Sequence, residues 1–113
     1  MKNFKIFYNP RCSKCRDALC LLEGKPHEVV EYLKTPPSEE ELLRLMEILS
    51  GDFREIVRVK EASYQENPFP LDDRRVIARE LAKRPELIER PIVVHEGKAV
   101  IGRPVERLKV LFQ

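Results

Sequence analysis

The stretch FYNPRCSKCRDAL, Phe7–Leu19, sets two cysteines three apart between a proline turn and the start of a helical pattern. Just upstream, FKIFY (Phe4–Tyr8) alternates and is rich in β-formers, and Asn9-Pro10 ends it, so these residues predict a first strand. Downstream, Cys15, Ala18, Leu19 and Leu22 fall at i, i+3, i+4 and i+7 on one helical face, and Gly24 stands where a helix stops. A helix therefore begins at the cysteine pair. EVVEYL (Glu28–Leu33) reads as a second strand, which makes the opening a β-α-β unit with a crossover helix and parallel pairing.

Working outward, Thr35-Pro36-Pro37-Ser38 punctuates the chain, and Ser38 with Glu41 gives a capping box ahead of LLRLMEIL. From Gly51 to Pro85 the pattern stays helical, with FREIVRV and DDRRVIARELAKR separated by NPFP, so residues 36–85 predict an all-helical insertion. PIVV (Pro91–Val94) and AVI (Ala99–Ile101) form a strand pair around a tight turn at Glu96-Gly97, and Val105–Leu111 gives a last helix. Residues 1–113 are expected to form one α/β domain. The order β-α-β, helices, β-β-α, with C-x-x-C after the first strand, is that of a thioredoxin-like domain.

Composition narrows the function. Charged residues make up 35% of the 113, but 21 Lys and Arg stand against 19 Asp and Glu, and a net charge of +2 gives no reason to expect nucleic-acid or membrane binding. No stretch approaches the roughly 20 apolar residues that cross a bilayer, and Met1-Lys2-Asn3-Phe4 runs into a strand pattern without a signal-peptide core, so a cytoplasmic protein is expected.

Cys12, Cys15 and Cys20 are an odd set crowded into one short segment, a poor framework for structural disulfides. As a metal clamp the pair supplies two ligands of the usual four, and Cys20, His27 and His95 offer no second paired spacing. As core residues, Cys15 and Cys20 fit a helix better than Cys12 does. Cys12 instead lies in a polar turn with Arg11, Lys14 and Arg16 close by. At a helix mouth it faces unpaired N–H groups and the positive end of the dipole, and both favour thiolate over thiol. The same helix end suits a tetrahedral oxyanion.

YNPRCSKCR, YLKTPPSEEEL, LIERPIVV and IGRPVE, in this order across nearly the whole chain, resemble the glutaredoxin-linked arsenate reductases and the related Spx-type redox regulators. The resemblance implies Cys12 as the nucleophile that attacks arsenate, and Arg58, Arg90 and Arg103 as the arginines that cradle the oxyanion. It implies that Pro91 is the proline that is cis beside the active site, setting the Arg90 backbone next to Cys12. Guanidinium forks match an oxyanion bidentately in a way lysine does not; the competing reading is a solvated or salt-bridged surface residue, which fits Arg58 among Arg54, Glu55 and Lys60 better than Arg90 and Arg103, each of which precedes a proline in a strand context. Many relatives lack a cysteine at the second position of the pair and rely on glutathione and glutaredoxin as electron donor. Here Cys15 is available as a resolving thiol, and Tyr8 stands where some relatives carry histidine.

Two readings follow. One is an enzyme, an arsenate reductase (glutaredoxin)-like oxidoreductase with no bound cofactor and no metal. Its partners would be a small oxyanion and glutaredoxin or thioredoxin. The other is an Spx-like sensor that closes a Cys12–Cys15 disulfide and binds RNA polymerase. A sensor needs no oxyanion pocket, so the arginine set favours the enzyme.

Overall fold

In a computed structural model of the chain, which describes residues 3–112, the first strand β1 (Phe4–Tyr8) leads through a turn into helix α1 (Ser13–Leu21) and strand β2 (His27–Glu31). Helices α2 (Glu39–Ile48), α3 (Ala62–Glu66) and α4 (Arg74–Lys83) follow, with 3-10 turns at Phe53–Ile56 and Pro85–Leu87. Strands β3 (Ile92–His95) and β4 (Lys98–Ile101) and a 3-10 helix over Val105–Phe112 complete the order. The strands form one sheet in the order β2-β1-β3-β4, with β1 parallel to β2 and antiparallel to β3.

Alternation along the central strands assigns the two faces. In register, Ile6, Val93 and Val100 form a row toward α1 and the C-terminal 3-10 helix, where Ala18, Leu22, Leu108 and Leu111 cover it. Phe7, Ile92 and Ile101 form the next row, on the opposite face, and pack under α2 and α4 through Leu42, Leu45, Met46, Ile77 and Leu81. Each fully buried aliphatic side chain is worth about 1.5–3 kcal/mol, so a one-residue slip of β1 would exchange both sets and is strongly disfavoured. The tight turn at Glu96-Gly97 has positive φ at both residues, 50° and 78°, as a type I′ hairpin requires. The expected capping box forms too: the Glu41 N–H donates to Ser38 Oγ and the Ser38 N–H to Glu41 Oε1, both at 3.2 Å.

Several boundaries differ from the sequence reading. The second strand is His27–Glu31 rather than Glu28–Leu33, because the Lys34 and Thr35 N–H groups donate to the Glu31 carbonyl and turn the chain. Tyr32 is thereby directed into the core, with no exposed surface. FREIVRV is helical only as far as Ile56; Val57 then pairs antiparallel with Ile88, which makes the predicted all-helical insertion helical with one extended break. The last helix is 3-10, and its buried Leu108 and Leu111 lie three apart, the repeat of that helix. Gly102 joins β4 to this helix: its N–H donates to the Pro91 carbonyl at 2.8 Å. A Cβ there would meet Leu108 Cδ1 at 3.0 Å and Pro91 Cγ at 3.1 Å.

Candidate active site

The turn after β1 places Cys12 at the N-cap of α1. The Cys12 N–H donates to the Asn9 carbonyl at 3.0 Å, its own carbonyl accepts from the Arg16 N–H at 3.1 Å, and its φ and ψ of −97° and 117° are extended. Its side chain closes no cap hydrogen bond of ordinary geometry, yet the Cys15 N–H still faces the sulfur. Cys12 is 7% exposed and Cys15, one turn into the helix, is fully buried. Both are free thiols.

Burial alone would raise the Cys12 pKa, but the Cys15 N–H, the Cys15 thiol and the Arg90 guanidinium outweigh it and hold the thiol below its ordinary value. Cys15 moves the other way. Burial, with an ionised Cys12 beside it, pushes it up to about 12, and the Asn9 backbone offsets this only in part. The two sulfurs are thus separated in role by environment: one is prone to ionise and the other remains a proton donor beside it.

The Arg90–Pro91 and Arg103–Pro104 peptide bonds are both cis. Arg103 extends from the end of β4 to the sulfur: Nη2 donates to Cys12 Sγ at 3.8 Å, and Nε donates to the Arg90 carbonyl at 2.7 Å. Arg103 Nε also pairs with Glu89 Oε1 at 3.2 Å, and Glu89 Oε1 accepts from the Arg90 N–H at 3.0 Å. The Arg90 guanidinium lies toward both Cys12 and the Tyr32 hydroxyl without closing a short hydrogen bond, and Arg90 Nε and Tyr32 Oη are buried without a partner among the described residues.

Arg58 is not on an exposed helix face. It follows the Val57 bridge on an extended stretch, where its N–H donates to the Leu87 carbonyl at 2.8 Å. Its guanidinium donates to the Glu86 carbonyl at 3.1 Å and pairs with Glu61 at 3.0 Å. A cleft of about 340 Å³ lies between Arg58 and Arg103, with Lys60, Glu61 and Glu89 also on its walls. Cys12 and Arg90 lie outside that lining, and Arg103 spans the two parts, with Nε on the Glu89 side and Nη2 on the sulfur.

Of the residues singled out from the sequence, Cys12, Cys15, Arg90 and Arg103 come together, and Arg58 meets Arg103 across the cleft. Tyr32, Glu61 and Glu89 escaped the sequence reading. No motif marks the two glutamates among 19 acidic residues: Glu61 lies three residues from its partner Arg58, and only the fold brings Glu89 to Arg103. His27 is exposed and faces the Lys25 carbonyl at 2.7 Å, while the His95 ring stacks on Phe4 at 3.7 Å. Among the described residues, no three His, Cys, Asp or Glu gather as metal ligands, and no helix is long and apolar enough to cross a membrane.

Known proteins resemble this chain over nearly its whole length. An arsenate reductase of Neisseria meningitidis is 45% identical over 98% of this chain and 99% of its own length. One from Escherichia coli is 35% identical over 94% of this chain and 78% of its own length. Among solved structures, an arsenate reductase from Vibrio cholerae superposes with a TM-score of 0.86 at 40% identity, covering 97% of this chain and 98% of that one. With residues 7–111 also matched by the model of the ArsC family, from the cysteine turn through the C-terminal 3-10 helix, the chain belongs to that family and has its thioredoxin-like fold.

Proposed function

We propose that the protein is a thiol-dependent arsenate reductase in which Cys12 is the nucleophile and Arg58, Arg90 and Arg103 bind the oxyanion. The observation that carries this is Arg103: one guanidinium donates to the Cys12 sulfur at 3.8 Å while lining the cleft it shares with Arg58. The ionised sulfur attacks arsenic, an S–As bond forms, and an As–O bond breaks with the oxygen leaving as water once protonated. Guanidinium groups on the remaining oxygens stabilise the charge that develops in that step. A glutathione thiol then attacks the Cys12 sulfur and gives up its proton, the S–As bond breaks with its electron pair going to arsenic, and arsenic(V) leaves as arsenic(III) while Cys12 and glutathione are joined as a mixed disulfide that glutaredoxin reduces.

Glutathione with glutaredoxin is the donor pair in this reading, and the reaction belongs to the reducing cytoplasm. No cofactor is needed, because the electrons come from sulfur. Residues 1–113 act as one domain, with the 36–85 insertion supplying Arg58 and Pro91 holding the Arg90 backbone at the site. A second reading, disulfide sensing through Cys12 and Cys15 with RNA polymerase as the partner, draws support from the closeness of the two thiols.

Mass spectrometry of the reduced protein incubated with arsenate and glutathione tests the first reading. An arsenic or glutathione adduct on Cys12, absent in Cys12→Ser, is expected. A Cys12–Cys15 disulfide formed under mild oxidant, with no such adduct, would favour the sensor.

A further inference from the structure

The cleft between Arg58 and Arg103 is not walled by cations alone. Glu61 and Glu89 line it as well, which is unexpected for a site that receives anions. Glu61 is paired with Arg58 at 3.0 Å. Glu89 accepts from the Arg90 N–H at 3.0 Å and pairs with Arg103 Nε at 3.2 Å, and both contacts fall on the same oxygen, Oε1. Among the described residues Oε2 makes no hydrogen bond or ion pair, and the side chain that carries it is 23% exposed and lines the cleft.

A carboxylate beside a bound anion is repulsive unless the anion offers it a proton. Arsenate and phosphate keep at least one hydroxyl at neutral pH. Sulfate and selenate keep none.

We infer that Glu89 is a specificity-determining residue: its carboxylate accepts a hydrogen bond from the hydroxyl of a protonated tetrahedral oxyanion and so excludes oxyanions that carry no proton. This rests on the oxyanion reading of the cleft given above. The arginines supply affinity for any tetrahedral anion, and the carboxylate converts it into a choice. Phosphate and sulfate isolate that choice. At mildly alkaline pH both are tetrahedral dianions of nearly the same size, and only phosphate presents a hydroxyl. A site that hydrogen-bonds a substrate hydroxyl rejects the analogue lacking it, because its acceptor is left facing a like charge.

The test is protection of Cys12 from alkylation by iodoacetamide in the reduced, full-length protein, titrated with inorganic phosphate or with sulfate. Protection reports occupancy without turnover, so it stands apart from whether the protein reduces arsenate. For the wild type, half-protection is expected at a phosphate concentration about tenfold or more below that of sulfate. Glu89→Gln, which keeps a hydrogen-bonding group but loses the charge, should bring the two anions to within about threefold, mainly by admitting sulfate. If Glu89 merely positions Arg103, both anions weaken together in the variant and the ratio stays put, which overturns the inference. Equal protection by the two anions in the wild type, or protection by neither, also overturns it. Should Glu89→Gln not fold, Glu89→Asp takes its place: it withdraws the carboxylate by one methylene and should narrow the phosphate preference, and an unchanged ratio there overturns the inference. Phosphate-selective protection without any arsenate reduction would count against the proposed reaction alone.

Discussion

Arg103 and Arg58 reach one cleft from different kinds of anchorage. Arg103 follows β4 directly, with Gly102 before it tied to the Pro91 carbonyl, its own Nε on the Arg90 carbonyl, and its tip on the sulfur. Arg58 belongs to the inserted segment. It is attached to the route into β3 by the Val57–Ile88 bridge and is held by Glu61 and the Glu86 carbonyl. The sheet thus fixes one guanidinium against the Cys12 sulfur, and the insertion presents another across the cleft. In the proposed reaction the first acts on the attacking sulfur and the charge that grows beside it, and the second chiefly retains the anion.

Replacing each with lysine tests that division most severely. Arg103→Lys keeps a charge but loses the fork that spans backbone, Glu89 and sulfur. It should lower kcat/KM for arsenate by about 100-fold, much of it in kcat. Arg58→Lys should cost about tenfold, mostly as a higher KM. Equal losses with the same split between kcat and KM would erase the distinction.

A milder effect is expected at Cys15, on the sheet side of the site. Cys15→Ala should cost about 1 kcal/mol of stability for the lost packing, read from denaturant midpoints. The pH dependence carries a sign. Cys15 is pushed up to about 12 in the folded protein, against about 8.5 for an ordinary thiol in the unfolded chain. Its contribution is therefore fully present below the ordinary value and declines as the pH rises toward the folded one, and the alanine variant should lack that decline. Cys12, held low, contributes the opposite way: its share is present above the ordinary thiol value and lost as the pH falls through its lowered one.

The smallest effect belongs to Tyr32→Phe. Among the described residues the Tyr32 hydroxyl is buried without a partner, so its removal should leave stability unchanged or raise it by up to about 1 kcal/mol in thermal or urea unfolding. A large loss would mean that the hydroxyl holds Arg90 more firmly than its lack of a short hydrogen bond suggests.

Features written locally in the chain were legible from it. The Ser38–Glu41 capping box, the Glu96-Gly97 turn and the cysteine at the mouth of α1 each need only a few neighbouring residues, and each is where the pattern put it. β1 and β3 were legible as strands because they lie in the middle of the sheet and carry the β-formers of FKIFY and PIVV. β2 was placed less well, since as an edge strand it exposes His27, Glu28 and Val29 and its apolar pattern is correspondingly weak. Arg58 looked helical because Arg54, Glu55 and Lys60 surround it, and only the remote Ile88 pulls that stretch into an extended form. The carboxylates that meet the arginines were illegible for a related reason. Glu61 has a short-range partner and no motif to mark it, while Glu89 and Arg103 are brought together by the β3–β4 hairpin.

Gly102 gives the site a mechanical gauge. The space beside its Cα is narrower than a methyl group, walled by Leu108 on one side and Pro91 on the other. The next residue is the one whose tip reaches the sulfur. The chain thus passes through an apolar gap one residue before its charged group, and an alanine there would require the Leu108 or Pro91 side chain to give by a few tenths of an ångström.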